Sequence, residues 1–253
     1  MSEAMTDGAL AAHLAQVTGA LLLTVRESRM CSAHTLGKAG DQTANQFLIH
    51  ALREQRPDDG LLSEEEKDSP DRLSRERVWI VDPVDGTREY GEGRSDWAVH
   101  VGLAIDGVAT VGAVALPGLG VTVRSDAPPP LLPMQTPLRM VVSRSRPAAE
   151  AISVATALGA VLVPMGSAGA KAMAVVRGEA EIYLHTGGQY EWDSCAPVAV
   201  AAAAGLHVSR VDGSPLVYNR RDVYMPDLLI CRAELVPAVF AALRGRPADN
   251  PVG

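Results

Sequence analysis

The sequence predicts an α/β (α+β) protein built of stacked layers, with one sheet in each half sandwiched between helices. Three observations carry that prediction. Two segments with helical spacing of apolar residues precede any strand. A run of apolar strands is then joined at an Asp-Gly dipeptide, a strong hairpin signal. Beyond a proline-rich stretch, strands and helices alternate to the end of the chain.

Taken in order, "LAAHLAQVTGALLLTVRES" (10–28) and "DQTANQFLIHALREQ" (41–55) read as helices, and Asp41 can cap the second. A short strand, "GLLSEEE", follows, and then "VWIV" (78–81), apolar and rich in β-branched residues like a buried strand. "WAVHVGLAIDGVATVGAVALP" reads as two strands meeting at Asp106-Gly107, and "GVTVRS" extends that antiparallel sheet. "DAPPPLLPMQTP" holds five prolines in twelve residues, so it can be neither helix nor central strand. It marks a boundary, giving an N-terminal half (1–126), a linker (127–137) and a C-terminal half (138–253). The second half reads as strand "LRMVVS", helix "PAAEAISVATALG", strand "AVLVPMG", helix "AGAKAMAVVRG" and strand "AEIYLH". Helix "WDSCAPVAVAAAAG", strands "HVSR" and "DLLICRA", and helix "ELVPAVFAALRG" complete it.

Composition sets the class. Of the 253 residues, 47% are apolar and 21% charged, an ordinary globular balance, with disorder expected only at the tails "MSEAMTDG" and "GRPADNPVG". A net charge of −7 argues against nucleic acid or an anionic membrane surface as the main partner, though not against a small polyanion that meets local positive charge. Cys31, Cys195 and Cys231 form no even framework and no CxxC pair, which points to reduced thiols and a cytoplasmic setting. No basic signal-peptide start is present. The apolar runs near "GALLLTV" and "APVAVAAAAGL" are shorter than the roughly 20 residues that span a bilayer.

The chemistry centres on "VWIVDPVDGTREY" (78–90), where a buried strand runs straight into two aspartates. Two unit charges about 5 Å apart repel by roughly 3 kcal/mol at an effective dielectric near 20. A divalent cation removes that cost, and hard cations such as Mg²⁺ take carboxylate and carbonyl oxygens. Pro83 stiffens the turn so that the Val84 carbonyl can sit between Asp82 and Asp85 as a third oxygen ligand. Gly86 and Thr87 follow, and backbone N–H groups at such a turn suit a phosphate. A lone Asp-Gly is most simply a turn. The whole D-P-x-D-G-T string arises by chance only about once in a million positions.

"DPVDGT", with upstream "SEE" and downstream "EWDSCAP", resembles the inositol monophosphatase superfamily of Mg²⁺-dependent, lithium-sensitive phosphatases. Within it, "GSAGAKAMAVVRGEAEIYLHTGGQYEWDSCAP" is most similar to the branch acting on 3′-phosphoadenosine 5′-phosphate (PAP). The likeness runs from about Ala9 to about Leu243. It implies an αβαβα sandwich, two sheets packed between helices, and PAP hydrolysis to AMP and phosphate in the recycling that accompanies sulfate assimilation. An inositol-phosphate or sugar-phosphate phosphatase on the same fold is the alternative. By the same resemblance, Glu64 bridges a metal and holds the nucleophilic water. Asp82 and Asp85 ligate both metals, the Val84 carbonyl one of them, and Asp193 is the second half's carboxylate. Thr87, paired with Asp41, orients and activates the water. Glu64, Asp82, Asp85 and Asp193 total −4, a charge that two Mg²⁺ ions cancel, and a third ion is compatible with the pattern. The site is expected between the halves, and a homodimer is compatible with the family.

The substrate side is read with less specificity. "GSAGAK" (166–171) lacks the Gly-Lys-Ser/Thr ending of a P-loop. The likeness places Ser167 and Lys171 toward substrate, Lys171 toward the 5′-phosphate, and the alternative is a plain strand-to-helix turn. Lysines occur only at 38, 67 and 171, which favours a role for Lys171. Lys38 is a weaker phosphate candidate. In "VVSRSR", Arg146 stands where many relatives carry histidine, whereas Arg144 reads equally as a surface residue. His185, eight residues before Asp193, is a candidate pocket residue. Asp193 and the Gly86–Thr87 turn also belong to the expected substrate contacts. His100 reads as a buried, hydrogen-bonded histidine rather than a ligand, Trp192 as packing beside the metal site, and Cys195 as a small core residue. Asp85→Asn is expected to abolish turnover with little loss of folding.

Overall fold

The computed structural model describes residues 5–245. The expected tail at "MSEAMTDG" is shorter than its sequence suggests, because Thr6 accepts from the Ala9 N–H and caps α1 (Asp7–Glu27). Residues 1–4, and all of "GRPADNPVG" beyond Gly245, lie outside the described residues. In the first half α1 is followed by α2 (Ala33–Gln55), β1 (Gly60–Ser63), β2 (Arg77–Asp85), α3 (Thr87–Gly91), β3 (Ala98–Ile105), β4 (Val108–Leu116) and β5 (Val121–Arg124). The second half holds β6 (Arg139–Ser143), α4 (Ala149–Leu158), β7 (Val161–Met165), α5 (Ala168–Val176), β8 (Ile182–Tyr190) and α6 (Glu191–Ala203). β9 (His207–Ser209), β10 (Tyr224–Cys231) and α7 (Val236–Arg244) close it.

Each half contributes one five-stranded sheet, in the orders β1-β2-β3-β4-β5 and β7-β6-β8-β10-β9. The Asp106-Gly107 hairpin forms as expected, pairing β3 with β4 antiparallel. The period-2 alternation of the strands builds the layers. On β2, Trp79 and Val81 face a core shared with α1 and α2, whereas Val78 and Ile80 face one shared with α5, α6 and the second sheet. The far face of that second sheet, with Met140, Val142, Ile182 and Leu229, packs on α4 and α7. The order is therefore helices, sheet, helices, sheet, helices, the expected αβαβα sandwich.

Two sequence-based boundaries are corrected. α2 begins at Ala33, so Asp41 lies inside the helix and cannot be its N-cap; Ser32 occupies that position. The glycines at 37 and 40 hid this first stretch, yet both are needed: a side chain at Gly37 would strike Thr87, and one at Gly40 would strike Tyr90. β8 continues past His185 to Tyr190 despite Gly187 and Gly188, because β10 pairs along it across a bulge between Met225 and Asp227. Finally, α1 is long and apolar enough, by length and composition, to cross a membrane, against the expectation from run lengths. Leu10, Leu14, Ala15 and Leu22 are nevertheless buried against α2 and the first sheet.

The middle layer brings the halves together. Gly102 and Gly112 face each other across β3 and β4, and α6 lies directly on them. A Cβ at either would press into the backbone of Ala196. This close approach fixes the height of α6 over the sheet and carries its first turn to the end of β2.

Candidate active site

β2 ends in two aspartates whose spacing is set by a break in pairing. Asp82 opposes His100 and Asp85 opposes Ala98, so Pro83 and Val84 bulge out of the ladder. The Val84 N–H bonds to Asp82 Oδ1 at 3.0 Å, which orients that carboxyl. Gly86 then takes a left-handed conformation (φ +87°) and opens α3. A side chain there would press on Ser167 of the second half, so the two halves abut at this turn.

Asp193 arrives from the opposite side. It sits in the first turn of α6, where its Oδ2 accepts the Tyr190 N–H at 2.6 Å. Carboxylate oxygens of Asp82, Asp85 and Asp193 lie within 4.8 Å of one another. Glu64 follows β1, which pairs parallel to β2, and although the residue is exposed its charge acts on Asp82 and Asp41, and it is itself repelled by Asp193. Thr87 donates to the Val84 carbonyl at 3.0 Å, with Asp41 Oδ1 at 3.4 Å, so the expected Thr87–Asp41 pair is present although long. Asp41, Glu64, Asp82, Val84, Asp85, Gly86, Thr87 and Asp193 thus form one cluster between the halves.

The electrostatics are those of carboxylates lacking compensation. Burial, then the charges of Glu65 and Glu64, push Asp41 up to about 7. Loss of water, then repulsion from Asp193, does the same to Glu64, also to about 7. Burial and the Asp85 charge lift Asp193 to about 6, and burial with the Glu64 charge lifts Asp82 well above the ordinary carboxylate range. Asp85 behaves oppositely. Burial would raise it, but His100, the Gly169 N–H and Lys171 together hold it at about 2. Its two oxygens accept from the N–H groups of Ala168 (3.1 Å) and Gly169 (2.6 Å), and His100 Nε2 lies 3.1 Å away. A clustered, oxygen-only donor set with carboxyls this reluctant to ionise fits hard divalent cations, which supply the missing positive charge.

His100 is the buried, hydrogen-bonded histidine expected, with Nδ1 3.0 Å from the Trp192 carbonyl. Its contact with Asp85 was not legible in strand spacing; Gly169, where any Cβ would collide with the imidazole, is the trace it leaves. Trp192 is partly buried beside the core and stacks on Tyr190, with centroids 4.9 Å apart. Cys195 is buried, and burial raises its thiol well above the usual range, so it is a core residue.

The substrate-side residues divide. Ser167 caps α5, accepting the Ala170 N–H at 2.8 Å. Lys171 is not on the surface: it is 5% exposed. Its Nζ binds the carbonyls of Gly166 and Ser167 and lies 5.4 Å above the Tyr183 ring, within the wall of the site. His185 is half-buried, 3.1 Å from the Gly188 carbonyl. Burial lowers its pKa, and the nearby Lys171 and Arg146 add to that. Arg146 is exposed, and its N–H bonds Ser143 Oγ. Arg144, which reads equally as a surface residue, is partly exposed and pairs with Glu89 and Glu92.

Residues 8–243 match the family model described as the inositol monophosphatase family. A protein of Mycobacterium leprae named 3′-phosphoadenosine 5′-phosphate phosphatase is 48% identical over 95% of this chain and 94% of its own. The 3′(2′),5′-bisphosphate nucleotidase CysQ of Escherichia coli is 31% identical over 74% and 81%. Among solved structures, CysQ from Bacteroides thetaiotaomicron superposes with a TM-score of 0.77 at 24% identity, covering 88% of this chain and 96% of that one. With three acidic side chains from the two halves brought within 4.8 Å of one another, and near-full-length matches in sequence and fold, this chain belongs to the inositol monophosphatase family.

Proposed function

We propose that this chain is a Mg²⁺-dependent phosphomonoesterase that removes the 3′-phosphate of PAP, giving AMP and phosphate. The observation that carries the reading is the meeting of Asp82, Asp85 and Asp193 oxygens within 4.8 Å, beside a Thr87–Asp41 pair. The naming of relatives at 48% identity as PAP phosphatases supports the substrate. Glu64, Asp82, the Val84 carbonyl, Asp85 and Asp193 would hold two or three Mg²⁺ ions. Bound there, the ions would lower the pKa of water and offset charge on the transferring phosphoryl group.

The protein's own part follows from its geometry. The Gly86–Thr87 turn meets the phosphate, and Glu64 and the Thr87 hydroxyl orient the attacking water. Asp41, whose Oδ1 lies 3.4 Å from the Thr87 hydroxyl, would accept a proton through Thr87. Asp193 lies toward the leaving sugar oxygen, while Ser167, Arg146, His185 and the buried charge of Lys171 give that wall its affinity for a bisphosphate. Three unpaired cysteines and the core position of α1 support a cytoplasmic protein, and a homodimer is the proposed assembly.

Phosphate release from PAP, inositol 1-phosphate and fructose 1,6-bisphosphate, with and without Mg²⁺, tests the reading. PAP is expected to give the highest kcat/KM, with activity lost in chelator. A PAP value no better than that for inositol 1-phosphate would overturn the nucleotide assignment.

A further inference from the structure

α3 is five residues long, yet it carries Thr87. So short a helix has little stability of its own and takes its position from its neighbours. On one side α2 holds it through three close approaches, Gly37 against Thr87, Gly40 against Tyr90 and Gly91 against the Ala33 carbonyl. On the other side the first half supplies the Val84 carbonyl of β2, which accepts from Thr87 at 3.0 Å, and the Trp97 ring against Tyr90 (4.9 Å); Glu89 and Glu92 are met instead by the second half. Arg144, one residue beyond β6, donates Nε to Glu89 Oε1 at 2.8 Å and Nη2 to Glu92 Oε2 at 2.7 Å. Residues three apart share a helix face, and a guanidinium can span both carboxylates as a fork where an ammonium meets one.

Both ends of this contact are anchored. The Arg144 N–H bonds the Met165 carbonyl at 2.9 Å, continuing the parallel β6–β7 pairing, so its backbone belongs to the second sheet. Glu89 is 8% exposed, and its stem fills the place a Cβ on Gly166 would need. Gly166 in turn donates its N–H to Asp96 at 2.7 Å. The β7–α5 turn, which carries Ser167 and leads into the α5 N–H groups that hold Asp85, is therefore wedged against α3.

We propose that Arg144 is a positioning residue that latches α3 to the second half and sets the placement of Thr87 against the Ser167 and Asp193 side of the site. It touches neither the carboxylate cluster nor Thr87 directly and acts through Glu89 and Glu92. The inference rests on the phosphatase reading only for its kinetic arm, because a displacement of about 1 Å in a reacting group can cost 100-fold in rate.

The test uses Arg144→Met, Glu89→Gln, the double variant and Arg144→Lys in the full chain. Amide exchange of residues 86–92 is measured without metal, alongside turnover of whichever phosphomonoester the wild type hydrolyses best. In Arg144→Met, exchange over 86–92 should quicken at least tenfold while α5 and α6 amides keep their rates. Its kcat should fall about tenfold with KM within about twofold. The double variant should be no worse than the more severe single one, because both break one contact, and Arg144→Lys should recover part of the rate. Unchanged exchange over 86–92 would overturn the latch whatever the substrate. A loss confined to KM would also overturn it and make Arg144 a substrate contact. Absent turnover in the wild type would reject the phosphatase reading and leave the exchange result to decide the latch.

Discussion

Removing divalent ions at different pH values tests whether the acidic cluster is a metal site. In the metal-free protein, Asp41 is pushed from 3.8 to about 7 and Asp193 from 3.8 to about 6, each chiefly by burial. A carboxyl raised in this way costs the folded state stability above its unfolded pKa, because the folded form retains a proton the unfolded chain gives up. That cost grows until the folded pKa is passed, so metal-free stability should fall as pH rises from 5.5 to 8. At 1.36 kcal/mol per unit, about 2 kcal/mol of the Asp41 cost and about 1 kcal/mol of the Asp193 cost arise in that window. For a chain of this size, about 3 kcal/mol corresponds to about 6–12 °C in Tm. Bound Mg²⁺ neutralises the cluster and should remove the slope. Thermal melts with saturating Mg²⁺ and with chelator, at both pH values, read the effect as a metal-induced shift larger at pH 8 than at pH 5.5. Comparing the two conditions at each pH cancels the histidines outside the cluster. A metal-induced shift equal at the two pH values, or no shift at pH 8, would refute the reasoning.

The neighbouring residues give sharper partitions. Asp85→Asn should abolish turnover, but the two backbone N–H donors on its oxygens and the His100 ring 3.1 Å away revise the expectation of unimpaired folding: turning an NH₂ toward the Gly169 N–H or His100 should cost about 1–3 kcal/mol. Urea unfolding checks this, and an unchanged midpoint would mean that those contacts do not stabilise the fold. Thr87→Ala should leave Mg²⁺ affinity, followed by calorimetry, within about twofold while kcat falls at least 100-fold. Loss of metal affinity with a retained rate would reverse its role. Gly169→Ala should drive His100 off Asp85, destabilise the protein by about 1–3 kcal/mol, and lower the His100 pKa seen by NMR, since Asp85 is what raises it.

The sequence was most informative where one short segment specified its own geometry. "DPVDGT" contains the strand end, the stiffened bulge and the left-handed glycine, so the placement of Asp82, Val84, Asp85 and Gly86 was legible from local chemistry alone. Glu64 and Asp193 required the resemblance, since nothing in their local pattern says which distant carboxylate they meet. The misreadings share one cause. Glycines at 37 and 40 look like helix breakers but are places where two backbones press together, and only the neighbour explains them. The partners of Lys171 and Arg144, two carbonyls and two glutamates, likewise lie outside any local pattern.

Three carboxylates that repel one another lie within 4.8 Å here, their repulsion partly offset by His100 and Lys171. Their mutual repulsion is opposed by backbone contacts: α6 rests on Gly102 and Gly112, α5 directs two N–H groups at Asp85, and the Tyr190 N–H holds Asp193. A further acidic residue, Glu191, secures the same helix start from behind. It is fully buried and accepts the N–H groups of Asn219 at 2.7 Å and Arg220 at 2.8 Å. Arg72, from the first half, holds that loop in turn through Asn219 Oδ1 and the Arg220 carbonyl. Among the cluster's carboxylates Asp85 differs, because His100, the Gly169 N–H and Lys171 oppose the effect of its burial and hold it at about 2.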